Sequence, residues 1–250
     1  MRPNVLILAG TAEASALARR LAAEGISGKV SLAGRVETPL AQPLPMRIGG
    51  FGGIDGLVAH LRAKRVSHVI DATHPFAAQM SRHAHAACGT LGIPLLRLTR
   101  PEWQHIDGDH WINVPDMPAA VAALDRAPMR VMLAVGRMHL AEFAVCPQHY
   151  YLLRLVDPPN STLPLPHCHV ILGRGPFDLE ADRDLMRKYD INLIVSKNSG
   201  GTGAYAKIAA ARSLQLPVLM IDRPAKPDVT EVHDVGMVID WLHADADLGV

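Results

Sequence analysis

Val5-Leu6-Ile7-Leu8-Ala9-Gly10-Thr11-Ala12-Glu13 decides the fold. A short apolar run stops at a glycine and a threonine, and the period then changes. Ala14, Leu17, Ala18, Leu21 and Ala22 recur at helical spacing, so the stretch reads as buried strand, tight turn and amphipathic helix. Gly10 can adopt backbone shapes closed to other residues, and Thr11 is a good N-cap. The start of such a helix offers unpaired N–H groups and a partial positive charge, which together favour a phosphate. The full G-x-G-x-x-G fingerprint is absent, so an ordinary strand-to-helix turn without ligand stays open at this point.

The chain has 250 residues, 49% of them hydrophobic, and a formal net charge of +1. That length supports a large core in one or two domains. Near-neutral charge argues against bulk nucleic-acid binding and leaves room for a local basic pocket. No apolar run approaches the roughly 20 residues of a membrane span. Met1-Arg2-Pro3-Asn4 runs directly into the first strand, so no signal peptide is expected. Cys88, Cys146 and Cys168 lack metal-type spacing and cannot all pair, which makes a reducing cytoplasm the expected setting.

Lys29 to Ala33 reads as a second strand, followed by Gly34-Arg35-Val36-Glu37-Thr38. In a dinucleotide-binding unit this strand end meets the adenosine ribose, with an acid in NAD sites and an arginine in NADP sites. No acid lies between Glu24 and Glu37, whereas Ser31 and Arg35 stand where a 2′-phosphate would lie. NADP is therefore favoured over NAD, although Glu37 fits that reading only if it faces away. Met46-Arg47-Ile48 reads as a third strand entering Gly49-Gly50-Phe51-Gly52-Gly53. These glycines permit close backbone approach to a ligand, with Gly52 counted among the cofactor residues; a flexible connector is the alternative. Ser67 to Ile70 is a fourth strand, ending in Asp71-Ala72-Thr73-His74-Pro75-Phe76-Ala77, where open α/β sheets bind ligands. Pro75 fits the first turn of the next helix. His83 and His85, two apart on that helix, diverge too far for a metal pair, and no metal site is read. Pro94 to Leu98 is a fifth strand.

Trp103 to Val114 has no clear period and reads as a linker. Asp116 and Asp178 are placed to cap helices, and further strands fall at Val131 to Val135, Tyr150 to Leu155, Val170 to Leu172, Ile191 to Val195 and Pro217 to Ile221. A last helix carries Val235, Val238, Ile239 and Leu242. Two segments share a plan. Val69-Ile70-Asp71-Ala72-Thr73 leads through a helix to a proline-led strand and Arg100-Pro101. Ile194-Val195-Ser196-Lys197-Asn198 leads likewise to Arg223-Pro224. The simplest account is α/β: two Rossmann-like, doubly wound parallel-sheet lobes, spanning 1–100 and 101–250, with a ligand cleft between them and room for a strand crossing from one to the other. The loop Ser196-Lys197-Asn198-Ser199-Gly200-Gly201-Thr202-Gly203 combines N–H donors with positive charge and suits phosphate or several carboxylates. It lacks the Gly-Lys-Ser/Thr order of a Walker loop.

Leu8-Ala9-Gly10-Thr11-Ala12-Glu13, Asp71-Ala72-Thr73-His74-Pro75-Phe76-Ala77, Arg100-Pro101-Glu102-Trp103 and the loop from Ser196 to Gly203, followed by Lys207 and Arg223-Pro224, together resemble the precorrin-6A reductase family of cobalamin biosynthesis. Many members begin the first turn with two glycines, where this chain has Ala9 before Gly10. The resemblance implies NADPH and a tetrapyrrole, with hydride transfer to a ring carbon of precorrin-6A to give precorrin-6B. It implies a cofactor pyrophosphate over Gly10 and Thr11, with Glu13 beside them, and a 2′-phosphate met by Arg35 and Thr38. The nicotinamide would reach Asp71, Ala72, Thr73, His74 and Pro75.

The acidic macrocycle requires converging cations and N–H donors. Lys197, Asn198, Ser199, Gly200, Gly201, Thr202 and Gly203 are expected to supply them, aided by Arg100, Arg137, Lys207 and Arg223. Trp103 and Tyr205 are expected to pack on the ring face. His74 and Lys197 are the expected proton donors, with water or the substrate's own carboxylic acid as alternatives. The expected partners are the tetrapyrrole and passing contacts with neighbouring pathway enzymes, in a monomer or small homo-oligomer, without nucleic acid or membrane. The reading from another class is a non-catalytic two-lobed binding protein for an acidic small molecule. A Tyr-x-x-x-Lys reductase is excluded, because Leu193 and Ala209 stand four residues after Tyr189 and Tyr205.

Overall fold

The structure, a computed structural model, describes residues 3–34 and 38–247. Arg35, the expected 2′-phosphate ligand, lies outside the described residues. The chain begins with β1 (Asn4–Leu8), α1 (Ala12–Ala23), β2 (Ser27–Leu32), β3 (Met46–Ile48), α2 (Gly53–Ala63), β4 (His68–Asp71), α3 (Ala78–Leu91) and β5 (Leu95–Leu98). It continues through β6 (Trp111–Val114), α4 (Met117–Ala122), β7 (Arg130–Ala134), a 3-10 helix over Arg137–Val145, β8 (Tyr150–Leu155), β9 (Cys168–Leu172), α5 (Leu179–Lys188), β10 (Leu193–Lys197), α6 (Ala206–Ser213) and β11 (Val218–Ile221). It closes with β12 (Glu231–Val232) and α7 (Val235–Asp247).

These elements form two compact units. One comprises Met1–Pro101 with Ala225–Val250, and the other Glu102–Pro224. The first holds a six-stranded sheet ordered β3-β2-β1-β4-β5-β12, and the second a six-stranded sheet ordered β9-β8-β7-β10-β11-β6. Every strand pair is parallel. The first order matches the doubly wound 3-2-1-4-5-6 arrangement. The second matches it too, with one difference: its outer place beside β11 is taken by β6, which enters the unit first.

The apolar run of β1 explains its central place. Val5, Leu6, Ile7 and Leu8 are all buried, as strands covered on both faces must be. Ile7 joins Leu17 and Leu21 of α1, Ile70, Leu96, and Val238 and Leu242 of α7. Leu6 and Leu8 face the other way, onto Leu57 and Leu61 of α2 and Ala84 and Ala87 of α3. In the second unit, Met132, Leu152, Ile194 and Met220 of the sheet pack with Ile208 and Met186. Thr11, Asp116 and Asp178 cap α1, α4 and α5 through their side chains, as their positions in the sequence indicate. No described helix is long and apolar enough to cross a membrane.

Three local expectations change, and two short elements were not foreseen. The supposed linker from Trp103 to Val114 ends in an edge strand, β6, whose middle residues Ile112 and Asn113 are exposed and carry no apolar alternation. Residues 225–250, expected in a second domain running 101–250, belong to the first unit, because β12 pairs with β5 and α7 packs on α1 and β5. β12 itself, two residues long, and the 3-10 helix have no readable period. Pro75 lies in a turn before α3, not in its first turn, because the helix begins at Ala78 after the Ala77 N–H has bonded to the His74 carbonyl.

The return segment therefore contributes core, and Leu242, fully buried against the first sheet, tests it. Leu242→Ala is expected to lower unfolding free energy by about 2–5 kcal/mol, read from the midpoint of a urea titration.

Candidate functional site

In parallel doubly wound sheets the ligand crevice lies beyond the carboxyl ends of the strands. The expected site segments occupy those ends. In the first unit, β1 runs into Gly10, whose φ of +153° favours glycine. The Thr11 hydroxyl accepts from the Ala14 N–H at 3.2 Å and donates to the Ala72 carbonyl at 2.9 Å. One side chain thus caps α1 and ties its first turn to the 71–75 loop. The Ala72 N–H donates to the Leu8 carbonyl at 2.9 Å, fixing the same loop from β1.

Asp71 anchors that loop from below. It is 2% exposed, and its carboxylate accepts from the Thr73 hydroxyl at 2.6 Å, the Thr73 N–H at 3.2 Å and the Ser81 hydroxyl at 2.6 Å. Arg97 of β5 brings its Nε within 3.6 Å, while its other nitrogens bond Glu231 at 2.6 Å and the Pro227 carbonyl at 3.0 Å. Asp71 and Thr73 are thus buried and mutually bonded, so they shape the loop that presents His74. The His74 Nδ1 accepts from the Phe76 N–H at 3.2 Å, which puts the proton of the neutral imidazole on Nε2. Burial, with the Asp71 charge adding to it, pushes the Cys88 thiol up to about 12, which keeps it a neutral packing group.

Glu13, expected beside the cofactor, and Arg100, expected on the substrate, form an ion pair at 3.1 Å. Gly52 caps the start of α2 in a left-handed conformation, φ 81°. The neighbouring Gly56 admits no side chain, since a Cβ there would stand 1.7 Å from the Phe51 carbonyl oxygen. Thr38 is exposed. The cation that the sequence reading passed over is Arg47. It donates to the Ser31 hydroxyl at 2.8 Å and to the Gly49 and Gly50 carbonyls at 2.8 and 2.9 Å, with its guanidinium 3.9 Å from the Phe51 ring centre. Burial lowers its pKa from the ordinary guanidinium value. Its signal was an arginine two residues before the densest glycine run.

In the second unit the glycine-rich loop is held from beneath. Asn198, 5% exposed, accepts from the Trp103 N–H at 2.9 Å and donates to the Trp103 carbonyl at 3.0 Å. The Trp103 indole N–H donates to the Gly201 carbonyl at 2.6 Å. Arg223 donates to the Asn198 and Ser199 carbonyls at 3.0 and 3.3 Å and lies 3.5 Å from Glu102. Lys207, 6% exposed, donates to the Ala204 carbonyl at 2.7 Å and sits 4.7 Å from the centre of the Trp103 ring. Trp103 is itself 7% exposed and packs into the core with Tyr205, whose hydroxyl accepts from Arg212 at 2.6 Å. Trp103, Asn198, Ser199 and Lys207, expected to face a ligand, are thus buried and engaged in building the loop. Gly200 is buried and Gly201 half-buried, both with positive φ. Lys197 is half-buried at the end of β10, Thr202 and Gly203 are exposed, and exposed Arg137 follows β7 with the Asn160 side chain 3.5 Å away.

Comparison with known proteins bears on the same span. Residues 4–243 match the family model described as Precorrin-6x reductase CbiJ/CobK. A precorrin-6A reductase of Rhodobacter capsulatus is 54% identical over 239 residues, 96% of this chain and 95% of that one. One from Rhodococcus erythropolis is 46% identical, covering 96% and 97%. A cobalt-precorrin-6A reductase of Priestia megaterium is 29% identical, covering 88% and 90%. The solved structure of a CobK precorrin-6A reductase superposes with a TM-score of 0.93 at 53% identity, covering 99% of this chain and 98% of that one.

Two substitutions test the frameworks described. Arg97→Met strands the Asp71 carboxylate in the core and is expected to cost about 3–5 kcal/mol; adding Asp71→Asn is expected to recover part of it, measured by denaturant unfolding. Asn198→Ala leaves the Trp103 N–H and carbonyl unanswered. It is expected to cost about 1–3 kcal/mol per lost bond and to shift Trp103 fluorescence.

Proposed function

The chain belongs to the precorrin-6x reductase family, and from that premise we propose that it reduces precorrin-6A to precorrin-6B in cobalamin biosynthesis, with NADPH as reductant. The observation that carries the substrate is the gradient of similarity. Precorrin-6A reductases match at 42–54% identity, cobalt-precorrin-6A reductases at 28–29%. That favours the metal-free macrocycle.

The first unit suits a dinucleotide. The Gly10–Thr11 turn opens α1 with free N–H groups. Among the described residues, the ends of β2 and β3 present Ser31 and Arg47 rather than an acid, which suits a 2′-phosphate. When bound, NADPH supplies the hydride. Gly10 and Thr11 would hold the pyrophosphate and Arg47, with Arg35 and Thr38, the adenosine phosphate. The 71–75 loop, locked by Asp71 and Thr11, would position the nicotinamide and orient the His74 Nε2 proton. Lys197, with Arg137 and the N–H groups of Gly200 to Gly203, would bind the carboxylates of the macrocycle. Lys197 and His74 are also the two side chains suited to protonate the reduced ring system.

The test is anaerobic incubation with precorrin-6A, following the macrocycle spectrum and cofactor oxidation together. Equal consumption of NADPH and substrate is expected, with NADH markedly slower. A faster reaction with the cobalt-containing substrate would overturn the substrate assignment. Lys197→Met is expected to raise KM about ten- to a hundredfold, the loss of a charged hydrogen bond. Single-turnover hydride transfer is expected to persist; its loss would make Lys197 the acid.

A further inference from the structure

We propose that Phe51 and the two glycines before it form a selectivity device, a collar that holds the Arg47 guanidinium ready for the 2′-phosphate of the adenosine half. This rests on the cofactor reading above and deepens it, because it assigns the choice of cofactor to residues that act through Arg47. They are positioning residues.

Arg47 and Ser31 stand opposite each other on β3 and β2, whose register pairs them. Ser31 is buried and its hydroxyl accepts from the guanidinium at 2.8 Å, so it supports the arginine. The chain then turns back around the same group. The Gly49 carbonyl accepts at 2.8 Å, the Gly50 carbonyl at 2.9 Å, and the Phe51 ring centre lies 3.9 Å from the guanidinium carbon. Three consecutive residues thus enclose one side chain. Phe51 is braced in turn by the His60 ring, in a T-shaped contact at 5.1 Å. Burial first, and then the Arg47 charge, lowers the proton affinity of His60, so the brace stays neutral.

The acceptors around Arg47 are neutral as well. Among the described residues no carboxylate pairs with it, so its charge is fixed in place and not cancelled. A guanidinium has five N–H donors. Those left over here lie on Nε and Nη2, the two nitrogens of one edge, whose spacing matches two oxygens of a phosphate. A loose arginine loses rotamer freedom when it grips an anion, and one clamped in advance does not. NADH presents a neutral hydroxyl where NADPH presents the phosphate, so the gain falls on NADPH alone.

Calorimetric titration of the full chain with adenosine 2′,5′-bisphosphate and with adenosine 5′-monophosphate tests this without turnover. The wild type is expected to prefer the bisphosphate. Phe51→Leu is expected to weaken bisphosphate binding about fivefold and to leave the monophosphate unchanged. In the reaction it is expected to raise the KM for NADPH by the same factor, with kcat and the NADH constants unaltered. Phe51→Tyr, which keeps the ring face, is expected to restore wild-type values. Phe51→Met carries the comparison if Phe51→Leu lacks the wild-type unfolding transition. A wild type that binds both nucleotides alike would overturn the cofactor reading and this inference with it. A wild type that discriminates, beside a Phe51→Leu variant that discriminates equally or loses both nucleotides to the same extent, would overturn this inference alone.

Discussion

A carboxylate that is 2% exposed must have its charge answered by the protein itself. Asp71 is answered from three directions: its own loop through Thr73, α3 through Ser81 and β5 through Arg97, which Glu231 of the return segment holds in place. The geometry of the strand end follows from this demand. The loop after β4 cannot relax without exposing or stranding the charge, so His74 is presented from a fixed base. Thr11 then couples that base to the start of α1 with one hydroxyl.

The second unit solves the corresponding problem without a buried carboxylate. Where the first has Asp71, the matching position is Ser196, and the work passes to neutral groups and carbonyls. Asn198 clamps the backbone of Trp103, the indole clamps Gly201, and Arg223 gathers two carbonyls. The paired Arg-Pro segments diverge in the same way. Arg100 finds a carboxylate on α1, whereas Arg223 mainly serves the backbone of the glycine-rich loop.

Much of this was legible because it is local. The change of period after Gly10, the capping residues Thr11, Asp116 and Asp178, and the proline-led strands obey rules spanning a few residues. The carboxyl-end placement of the 71–75 and 196–203 loops followed from the parallel pattern. What escaped depends on partners distant in sequence. Arg97 looks like an interruption in an apolar strand until Asp71 and Glu231 are brought to it. Lys207 and Trp103 resemble ligand groups in isolation, yet each is absorbed by the other and by the loop they support. β6 and β12 are too short or too polar to announce themselves, and each is recruited by the free edge of a fifth strand.

Those two edge strands have a temporal consequence. The segment after β5 completes one sheet, and the segment after β11 completes the other. A nascent chain leaving the ribosome therefore reaches residue 224 before the outer strand and last helix of its own opening half exist. Domains commonly form in the order they are translated. Here the half begun first is finished last, and the later-begun half closes from a contiguous stretch while its predecessor waits.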